Sequence, residues 1–305
     1  MTGQAYPDIF IYMKQTLKNN LLTVEIDSHG AELQSIVDNR TRHDYLYHGD
    51  SPFWGRRSPV LFPIVGSVWN GRFQMDGKVY EMGQHGFARD SDFSVVEDAP
   101  EDEAWFVLES GENTRSNYPR DFRLEIGYQL VGERLRVMWR VTNTGDKEMS
   151  FQIGAHPAFN YPDFKATDPV HAYLAFDRNE LTSQLIEEKG CVGEKVMPVT
   201  LDDNVMLPVT ADTFDINTII LADSQVRRVS VLDKHRNPYL SLLFSAPVVG
   251  IWSPSPEAPF ICVEPWYGRA DRVAFDGEFS EREYVNTLAP GKVFEASYMI
   301  IFENI

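Results

Sequence analysis

The sequence predicts an all-β protein built from antiparallel strands, as a sandwich or a large barrel. Apolar and polar residues alternate in many short segments, and clusters of Gly, Pro, Asn and Asp separate these segments. No segment repeats apolar residues at positions i, i+3, i+4 and i+7 over three turns, so we expect few and short helices. Many short strands joined by turns are typical of sandwiches and barrels.

The alternation is clearest over residues 122–141, where it predicts a β-hairpin. Apolar residues lie on one side of the chain up to Leu130, and the pattern resumes at Leu135 after the turn formed by Gly132 and Glu133. Further strands are predicted at 22–26, 32–37, 93–97, 105–109, 229–232, 240–244 and 294–302. The Pro-rich segment 253–259 is interpreted as a rigid loop between strands, because apolar runs flank it on both sides.

A single domain over residues 1–305 is predicted. All-β domains often exceed about 200 residues as one unit, and the sequence contains no repeat and no flexible linker. Strand signals begin near Leu21, so residues 1–12 are interpreted as an extension or a poorly ordered start.

The acidic composition argues against several partners. Lys and Arg number 28 against 45 Asp and Glu, and the resulting net charge of −17 would repel nucleic acid and anionic membrane surfaces. No apolar run approaches the roughly 18 residues of a membrane span. With only two cysteines, Cys191 and Cys262, and no leader-like start, the chain is expected in the cytoplasm.

Three segments place ionisable groups among glycines and prolines, where we expect the backbone to lack ordinary ladder contacts. They are residues 84–90, 154–160 and 263–271. In the first, an extended backbone would put His85, Phe87 and Arg89 on one side, where a polar ligand could bind.

The second and third segments offer an imidazole and a carboxylate. His156 precedes Pro157, which favours an extended conformation, and Gly154 leaves room for a ligand to approach. Glu264 and Trp266 share one side of the chain, and a carboxylate beside an indole suits a sugar with an apolar face and hydroxyl edges.

Other chemistries have weaker support. Two His, Glu264 and Cys262 could bind zinc, but no short His or Cys spacing favours a metal site. No phosphate loop, dinucleotide fingerprint or serine elbow occurs. The other histidines are expected to be structural; they are His29, His43, His48, His171 and His235. Proton transfer on a neutral, hydroxyl-rich ligand is therefore the favoured chemistry.

At this point the sequence resembles the aldose 1-epimerase (galactose mutarotase-like) family, in particular its LacX-type branch. The motifs that carry the resemblance are His-Gly-Phe-Ala-Arg-Asp at 85–90, Gly-Ala-His-Pro-Ala-Phe-Asn at 154–160 and Val-Glu-Pro-Trp-Tyr-Gly-Arg-Ala-Asp at 263–271. Further matches lie within 22–33, 53–66 and 288–291. The resemblance runs from about residue 20 to the end of the chain.

The resemblance implies a β-supersandwich that converts the α and β anomers of a free aldose without metal or cofactor. Glu264 resembles the general base that takes the proton from the anomeric hydroxyl, and His156 the acid that protonates the ring oxygen. By the same resemblance, His85 would hold or polarise the sugar, and Arg89 and Trp266 would shape the pocket. The implied partner is a small-molecule sugar.

Two positions depart from the family pattern. Ser67 stands where members often carry an Arg, so by the resemblance a sugar-hydroxyl donor is either missing or replaced by Arg56, Arg57 or Arg72. At the position where many members have an acidic sugar ligand, the best match is Asn217.

Two other functions remain open. A hexose-phosphate 1-epimerase needs a cationic cluster, for which the candidates are Arg56, Arg57, Arg89 and Arg269. A non-catalytic carbohydrate-binding or sugar-sensing protein could keep the fold without turnover. Glycoside hydrolysis usually needs paired carboxylates, and beside Glu264 only Asp271 is a distant candidate.

Overall fold

The computed structural model describes residues 13–50 and 52–304, and strands dominate this part of the chain. The extension expected at residues 1–12 lies outside the described residues.

In chain order the strands begin with β1 (Lys14–Lys18), β2 (Leu22–Asp27), β3 (Glu32–Asp38), β4 (Val60–Leu61), β5 (Arg72–Met75), β6 (Lys78–Glu81), β7 (Ser94–Val95) and β8 (Glu103–Glu109). They continue with β9 (Phe122–Val131), β10 (Arg134–Asn143), β11 (Met149–Phe151), β12 (Ile153–Ala155), β13 (Ala158–Asn160), β14 (Ala172–Phe176), β15 (Thr182–Ile186) and β16 (Val192–Pro198). The last are β17 (Met206–Val209), β18 (Ile219–Leu221), β19 (Arg228–Leu232), β20 (Pro238–Phe244), β21 (Val248–Trp252), β22 (Phe260–Tyr267), β23 (Asn286–Leu288) and β24 (Val293–Phe302).

Helices are few and short in the described residues, as predicted. The α-helix α1 covers Glu112–Arg115, and single 3₁₀ turns lie at Trp69–Gly71, Ala88–Asp90 and Phe279–Glu281. None of these helices is long and apolar enough to span a membrane.

Two large antiparallel sheets form the body of the fold. The nine-stranded sheet has the order β17-β14-β19-β20-β24-β10-β9-β8-β7. The eight-stranded sheet follows β16-β15-β18-β21-β22-β12-β4, with β13 also paired to β22. Smaller sheets join β1, β2 and β3, β5 with β6, and β11 with β23. This is the β-supersandwich that the sequence resemblance implies.

The core lies between the two large sheets. Trp139 of β10 and Tyr298 of β24 come from the nine-stranded sheet, and Ile251 and Val263 come from the eight-stranded sheet. All four belong to one contiguous buried cluster, and the ring of Trp139 meets that of Tyr267 at 6.2 Å. Burial of these inward-facing apolar side chains is the main force that holds the sheets together.

The predicted hairpin is confirmed as β9 and β10, which pair antiparallel from Phe122↔Asn143 to Val131↔Arg134. The strands predicted at 22–26, 32–37, 105–109, 229–232, 240–244 and 294–302 are confirmed with small extensions. The segment predicted at 93–97 is shorter, since only Ser94–Val95 form a strand.

The segment that carries Glu264 is a central strand, which corrects the expectation that residues 263–271 lack ladder contacts. Phe260–Tyr267 form β22, paired with β21 on one side and with β12 and β13 on the other. Seven of its eight residues are buried. The alternation that marks a half-exposed strand is absent because both faces of β22 are covered.

Beyond β22 the chain is held by a buried ion pair. The Nε of Arg282 donates to Oδ1 of Asp271 at 2.5 Å, and the backbone N–H of Trp69 donates to Oδ2 at 2.9 Å. Arg282 is 3% exposed and Asp271 5% exposed. Asp271 therefore ties the loop after β22 to the distant segment of Trp69 and to the nearby Arg282, with little competition from water.

Substitution Asp271→Asn should destabilise the protein by about 3–5 kcal/mol, because it leaves the Arg282 charge buried without a counter-charge. The free energy of unfolding from urea titration measures this loss. The control is Asp121→Asn, since Asp121 pairs with Arg115 at 2.6 Å in an exposed position, where a change below about 1 kcal/mol is expected. Equal losses in the two variants would contradict the role given to burial.

Candidate active site

A cavity of about 370 Å³ opens beside the central strand β22. Six of the side chains proposed from sequence line it: His85, Arg89, His156, Asn217, Glu264 and Trp266. These residues come from distant parts of the chain, so the cavity exists only in the folded protein. A concave site that gathers several polar side chains is the usual place for small-molecule binding.

Strand register brings His156 and Glu264 together. Strands β12 and β13 pair with β22 in one continuous antiparallel register, Gly154↔Trp266 on one side and Ala158↔Cys262 on the other. His156 lies in the short interruption between β12 and β13, and the same register places it opposite Glu264. Directly opposed residues of antiparallel strands lie close enough for their side chains to meet.

The two side chains are in contact and almost fully buried. Nε2 of His156 lies 3.2 Å from Oε2 of Glu264, without the angular geometry of a hydrogen bond. Glu264 is 1% exposed and His156 8% exposed. Oε2 of Glu264 and Nδ1 of His156 have no hydrogen-bond partner among the described residues. Neither atom is therefore compensated by a hydrogen bond for the hydration that it loses on burial.

Burial shifts both groups toward their neutral forms. It raises the pKa of Glu264 well above the ordinary 4.5, and the adjacent indole of Trp266 opposes this shift in part. Burial is also the main cause that lowers the pKa of His156 from 6.5 to about 3, with smaller contributions from Arg89 and Arg56. Loss of hydration disfavours whichever form of each group is charged.

The neutral pair holds one transferable proton. A protonated Glu264 beside a neutral His156 contains as many protons as an ionised Glu264 beside a charged imidazole. The pair can therefore present one proton donor and one acceptor to a ligand without exchanging a proton with bulk water. Acid-base catalysis at a single centre needs this combination.

Aromatic rings hold the imidazole of His156 in place. Trp54 stacks on it with ring centroids 4.6 Å apart, and Trp252 and His85 approach edge-on at 5.6 and 5.5 Å. Trp54 and Trp252 also line the cavity, a role that sequence analysis did not assign to them. Trp252 pairs with Cys262 across β21 and β22, and this register brings its ring to the site. The pairing cannot be deduced from the sequence alone.

His85 is fixed by the backbone, not by an extended strand as we expected. Its φ is +66° and that of Gly86 is +73°, and a Cβ on Gly86 would collide with the carbonyl of Phe62. The chain turns here, so Phe87 points into the core against Phe62 while His85 faces the cavity. Two successive left-handed residues cannot be deduced from alternation.

The tautomer of His85 follows from its partner. The backbone N–H of Gly66 donates to Nδ1 at 3.1 Å, so in the neutral ring the proton sits on Nε2. Burial, aided by His156 and Arg89, lowers the pKa of His85 well below 6.5 and keeps the ring neutral. His85 can therefore donate one hydrogen bond from Nε2.

Trp266 fits where the neighbouring strands carry glycine. Gly154 faces it from β12, and a Cβ there would lie 2.7 Å from the indole Cδ1. A Cβ on Gly250 of β21 would collide with the far edge of the same ring. The two glycines make room for a large aromatic ring on a crowded sheet, where it forms an apolar wall of the cavity.

The arginines proposed from sequence have different positions. Arg89 lines the cavity, and its Nη2 donates to the carbonyl of Gln84 at 2.7 Å. Arg57 lies outside, where Nη1 donates to the carbonyl of Gln34 at 2.6 Å. Arg56 pairs with Asp90 at 2.9 Å, and Arg72 approaches Glu81 at the surface. Arg57 is therefore held by the β3 backbone and does not reach the cavity.

Of the two departures from the family pattern, Asn217 lines the cavity and Ser67 lies behind its wall. Asn217 lines it with a φ of +75°, and its Oδ1 accepts from the hydroxyl of Thr218 at 2.8 Å. Ser67 lies under a turn whose Gly190 forms part of the wall, and a Cβ on Gly190 would be 2.7 Å from Oγ of Ser67. Ser67 supports the wall in place of a long side chain.

Cys262 lies beside the acid-base pair. It precedes Glu264 by two residues on β22, so both side chains point to the same face of the sheet. Donor atoms of His156, Cys262 and Glu264 lie within 4.8 Å of one another, and all three residues are buried. Within the described residues they form a group that could hold a metal ion, although their sequence spacing predicts no such site.

Comparisons with known proteins show what this chain is similar to. A family model described as aldose 1-epimerase matches residues 13–287. The chromosomal LacX protein of Lactococcus lactis subsp. lactis is 29% identical over 94% of this chain and 99% of its own. A galactose mutarotase related enzyme from Lactobacillus acidophilus is 31% identical, with a TM-score of 0.87 over 96% of this chain and 98% of its own. A galactose mutarotase-like protein from Lactobacillus casei is 30% identical, with a TM-score of 0.89 over 95% and 100%.

The variant Glu264→Gln should be more stable than the original protein at neutral pH. A carboxyl whose pKa is raised on folding stabilises the fold below its unfolded pKa, and this contribution is lost as the pH rises toward the folded pKa. The amide cannot ionise, so the difference in unfolding free energy should grow from pH 4 upward by as much as about 1.4 kcal/mol per pH unit.

Urea titrations at pH 4, 6 and 8 would measure this difference. The matched control is Glu295→Gln, because Glu295 is exposed beside Arg140 and its stability difference should hardly vary with pH. A Glu264→Gln difference that stays constant from pH 4 to 8 would show that Glu264 ionises in the folded protein as easily as in water.

Proposed function

This chain belongs to the aldose 1-epimerase family, and from that premise we propose that it interconverts the α and β anomers of a free aldose. The observation that carries the proposal is the buried contact between His156 and Glu264 at the wall of a cavity. Opening a sugar ring requires one proton removed from an oxygen and one delivered to another. The pair supplies both groups.

In the proposed mechanism, the proton of the neutral pair first moves from Glu264 to His156, and Glu264 then acts as the base and His156 as the acid. Glu264 takes the proton from the anomeric hydroxyl, the bond between C1 and the ring oxygen breaks, and His156 protonates that ring oxygen. The C1–C2 bond then rotates, and the ring oxygen attacks the other face of the aldehyde while both protons return. Each proton transfer is worth about 10²–10⁴ in rate.

The acid and the base lie side by side and do not face each other across the sugar, as ring opening between two groups would lead one to expect. They lie 3.2 Å apart on one side of the cavity. The anomeric oxygen and the ring oxygen are both bonded to C1, so an adjacent donor and acceptor can reach them together. This arrangement leaves the rest of the sugar free to contact the other walls.

The remaining cavity residues are proposed to position the sugar. The Nε2 proton of His85 is available to a sugar oxygen, and Trp266 offers an apolar wall for the ring face. Arg89 and Asn217 bring polar side chains to the same space, where they can select among hydroxyl arrangements.

A free aldose is a better candidate than a sugar phosphate. Of the described residues that line the cavity, Arg89 is the only lysine or arginine. Arg269, named as a phosphate candidate, is buried against Gln184 and Glu283. One guanidinium that already bonds to a backbone carbonyl is a weak basis for binding a dianion.

Two variants test the proposed roles. Glu264→Gln and His156→Asn should each reduce catalysed anomer exchange by about 10²–10⁴-fold, because each removes one proton-transfer group. Polarimetry of fresh α-glucose or α-galactose, or saturation-transfer NMR, measures the rate against buffer alone. Glu295→Gln serves as the control that keeps full activity. Unchanged exchange in the Glu264→Gln variant would refute the proposal.

A comparison of substrates separates the three candidate functions. We expect exchange to be faster on glucose or galactose than on glucose 6-phosphate, because the cavity lacks a cluster of unpaired cations among its described residues. A preference for the phosphate would favour a hexose-phosphate 1-epimerase. Calorimetric binding of sugar without accelerated exchange would favour a carbohydrate-binding or sugar-sensing protein.

A further inference from the structure

The side chain of Cys262 has no part in the proposed reaction, yet it lies against both groups that do. It is fully buried and is not among the residues that line the cavity. Its thiol approaches His156 and Glu264 so that the three donor atoms lie within 4.8 Å of one another. The group combines sulfur, nitrogen and oxygen donors, which is the set that zinc binds in proteins.

The spacing of the donors suits a small tetrahedral ion. Zinc binds nitrogen and oxygen at about 2.0–2.2 Å, so two such ligands on a tetrahedral ion lie about 3.3–3.6 Å apart. Nε2 of His156 and Oε2 of Glu264 are 3.2 Å apart, which a small adjustment brings into this range. The sulfur atom needs a slightly longer bond.

The donors are also free to bind. Oε2 of Glu264 is buried and has no hydrogen-bond partner among the described residues. The imidazole of His156 is kept in its orientation by Trp54, which stacks on it at 4.6 Å. A metal ion would therefore meet an arranged set of ligands, and little side-chain freedom would be lost on binding.

We propose that His156, Cys262 and Glu264 form a binding site for Zn²⁺ or a similar thiophilic divalent cation, and that this cation inhibits the enzyme by competing with the sugar. His156 and Glu264 line the cavity, so the fourth coordination position of the ion faces the cavity. A water molecule there completes the coordination shell of the ion. Binding releases the thiol proton to solvent together with the proton held by the pair. Mg²⁺ and Ca²⁺ are disfavoured because both prefer oxygen ligands.

The inhibition test rests on the proposed function, and it uses the two cysteines as a matched pair. Micromolar Zn²⁺ should inhibit anomer exchange in the original protein, with the half-inhibition concentration rising as sugar is added. Cys262→Ser should keep exchange and require at least about tenfold more Zn²⁺, since it loses the thiolate ligand.

Cys191→Ser is the control, because Cys191 is the other buried free cysteine and its Sγ faces the Ser67 carbonyl. This variant should keep both its activity and its sensitivity to Zn²⁺. Equal sensitivity of the Cys262→Ser and original proteins would overturn the proposal. If Cys262→Ser does not fold, Cys262→Ala provides the same comparison.

A second measurement does not depend on activity. Co²⁺ added to the original protein should produce a thiolate-to-cobalt charge-transfer absorption that saturates at one ion per chain, and Zn²⁺ should abolish it. The absorption should persist in Cys191→Ser and disappear in Cys262→Ser. If the absorption appears while no sugar is turned over, the metal site stands and the proposed function fails. If it does not appear in the original protein, the metal site is refuted whatever the activity.

Discussion

The site depends on one antiparallel register, the pairing of β22 with two short strands that are separated by a break. The break contains His156 and Pro157, and the strand on the other side contains Glu264 and Pro265. Pro265 lacks an N–H, and its carbonyl faces β12, so its missing donor falls on the side where the partner strand is interrupted. The break interrupts the backbone ladder at His156 and Pro157, while the register on its two sides keeps the imidazole opposite the carboxyl of Glu264.

Burial then determines the protonation of the pair. In water both groups would be charged between about pH 4.5 and 6.5, but the low polarity around them raises the pKa of the carboxyl and lowers that of the imidazole. The resulting state carries no net charge and one mobile proton. A site of this kind is less stable than an apolar one of the same volume, which is a common cost of catalytic sites.

The sequence predicted correctly those strands that have one buried face and one exposed face. The hairpin of β9 and β10 alternates along its length, so its period was visible. The Pro-rich loop at 253–259 does lie between two strands, as predicted, but the continuation of β22 through Glu264 and Trp266 was missed. Nearly all residues of this strand are buried, and such a strand has no period to detect.

The sequence motifs identified most of the side chains at the cavity, but they did not predict how these side chains are arranged. Most proposed side chains line the cavity, but Arg57 does not, because its guanidinium bonds to the backbone at Gln34. The left-handed turn at His85 and the rings around His156 were also invisible to pattern analysis. Each depends on long-range packing, which a local period does not encode. The same holds for Cys262, which was considered only through sequence spacing.

The contact between Ser67 and Gly190 has a consequence for how this cavity can change. The turn that carries Gly190 fits above Ser67 with no space for an added methyl group. A side chain at position 190 would require Ser67 to move, because its Cβ would lie 2.7 Å from Oγ of Ser67. The two positions are thus coupled, and a relative that substitutes one of them needs a compensating change in the other or a cavity of different width. The wall of the cavity at Gly190 thus depends on two small residues that lie far apart in the chain.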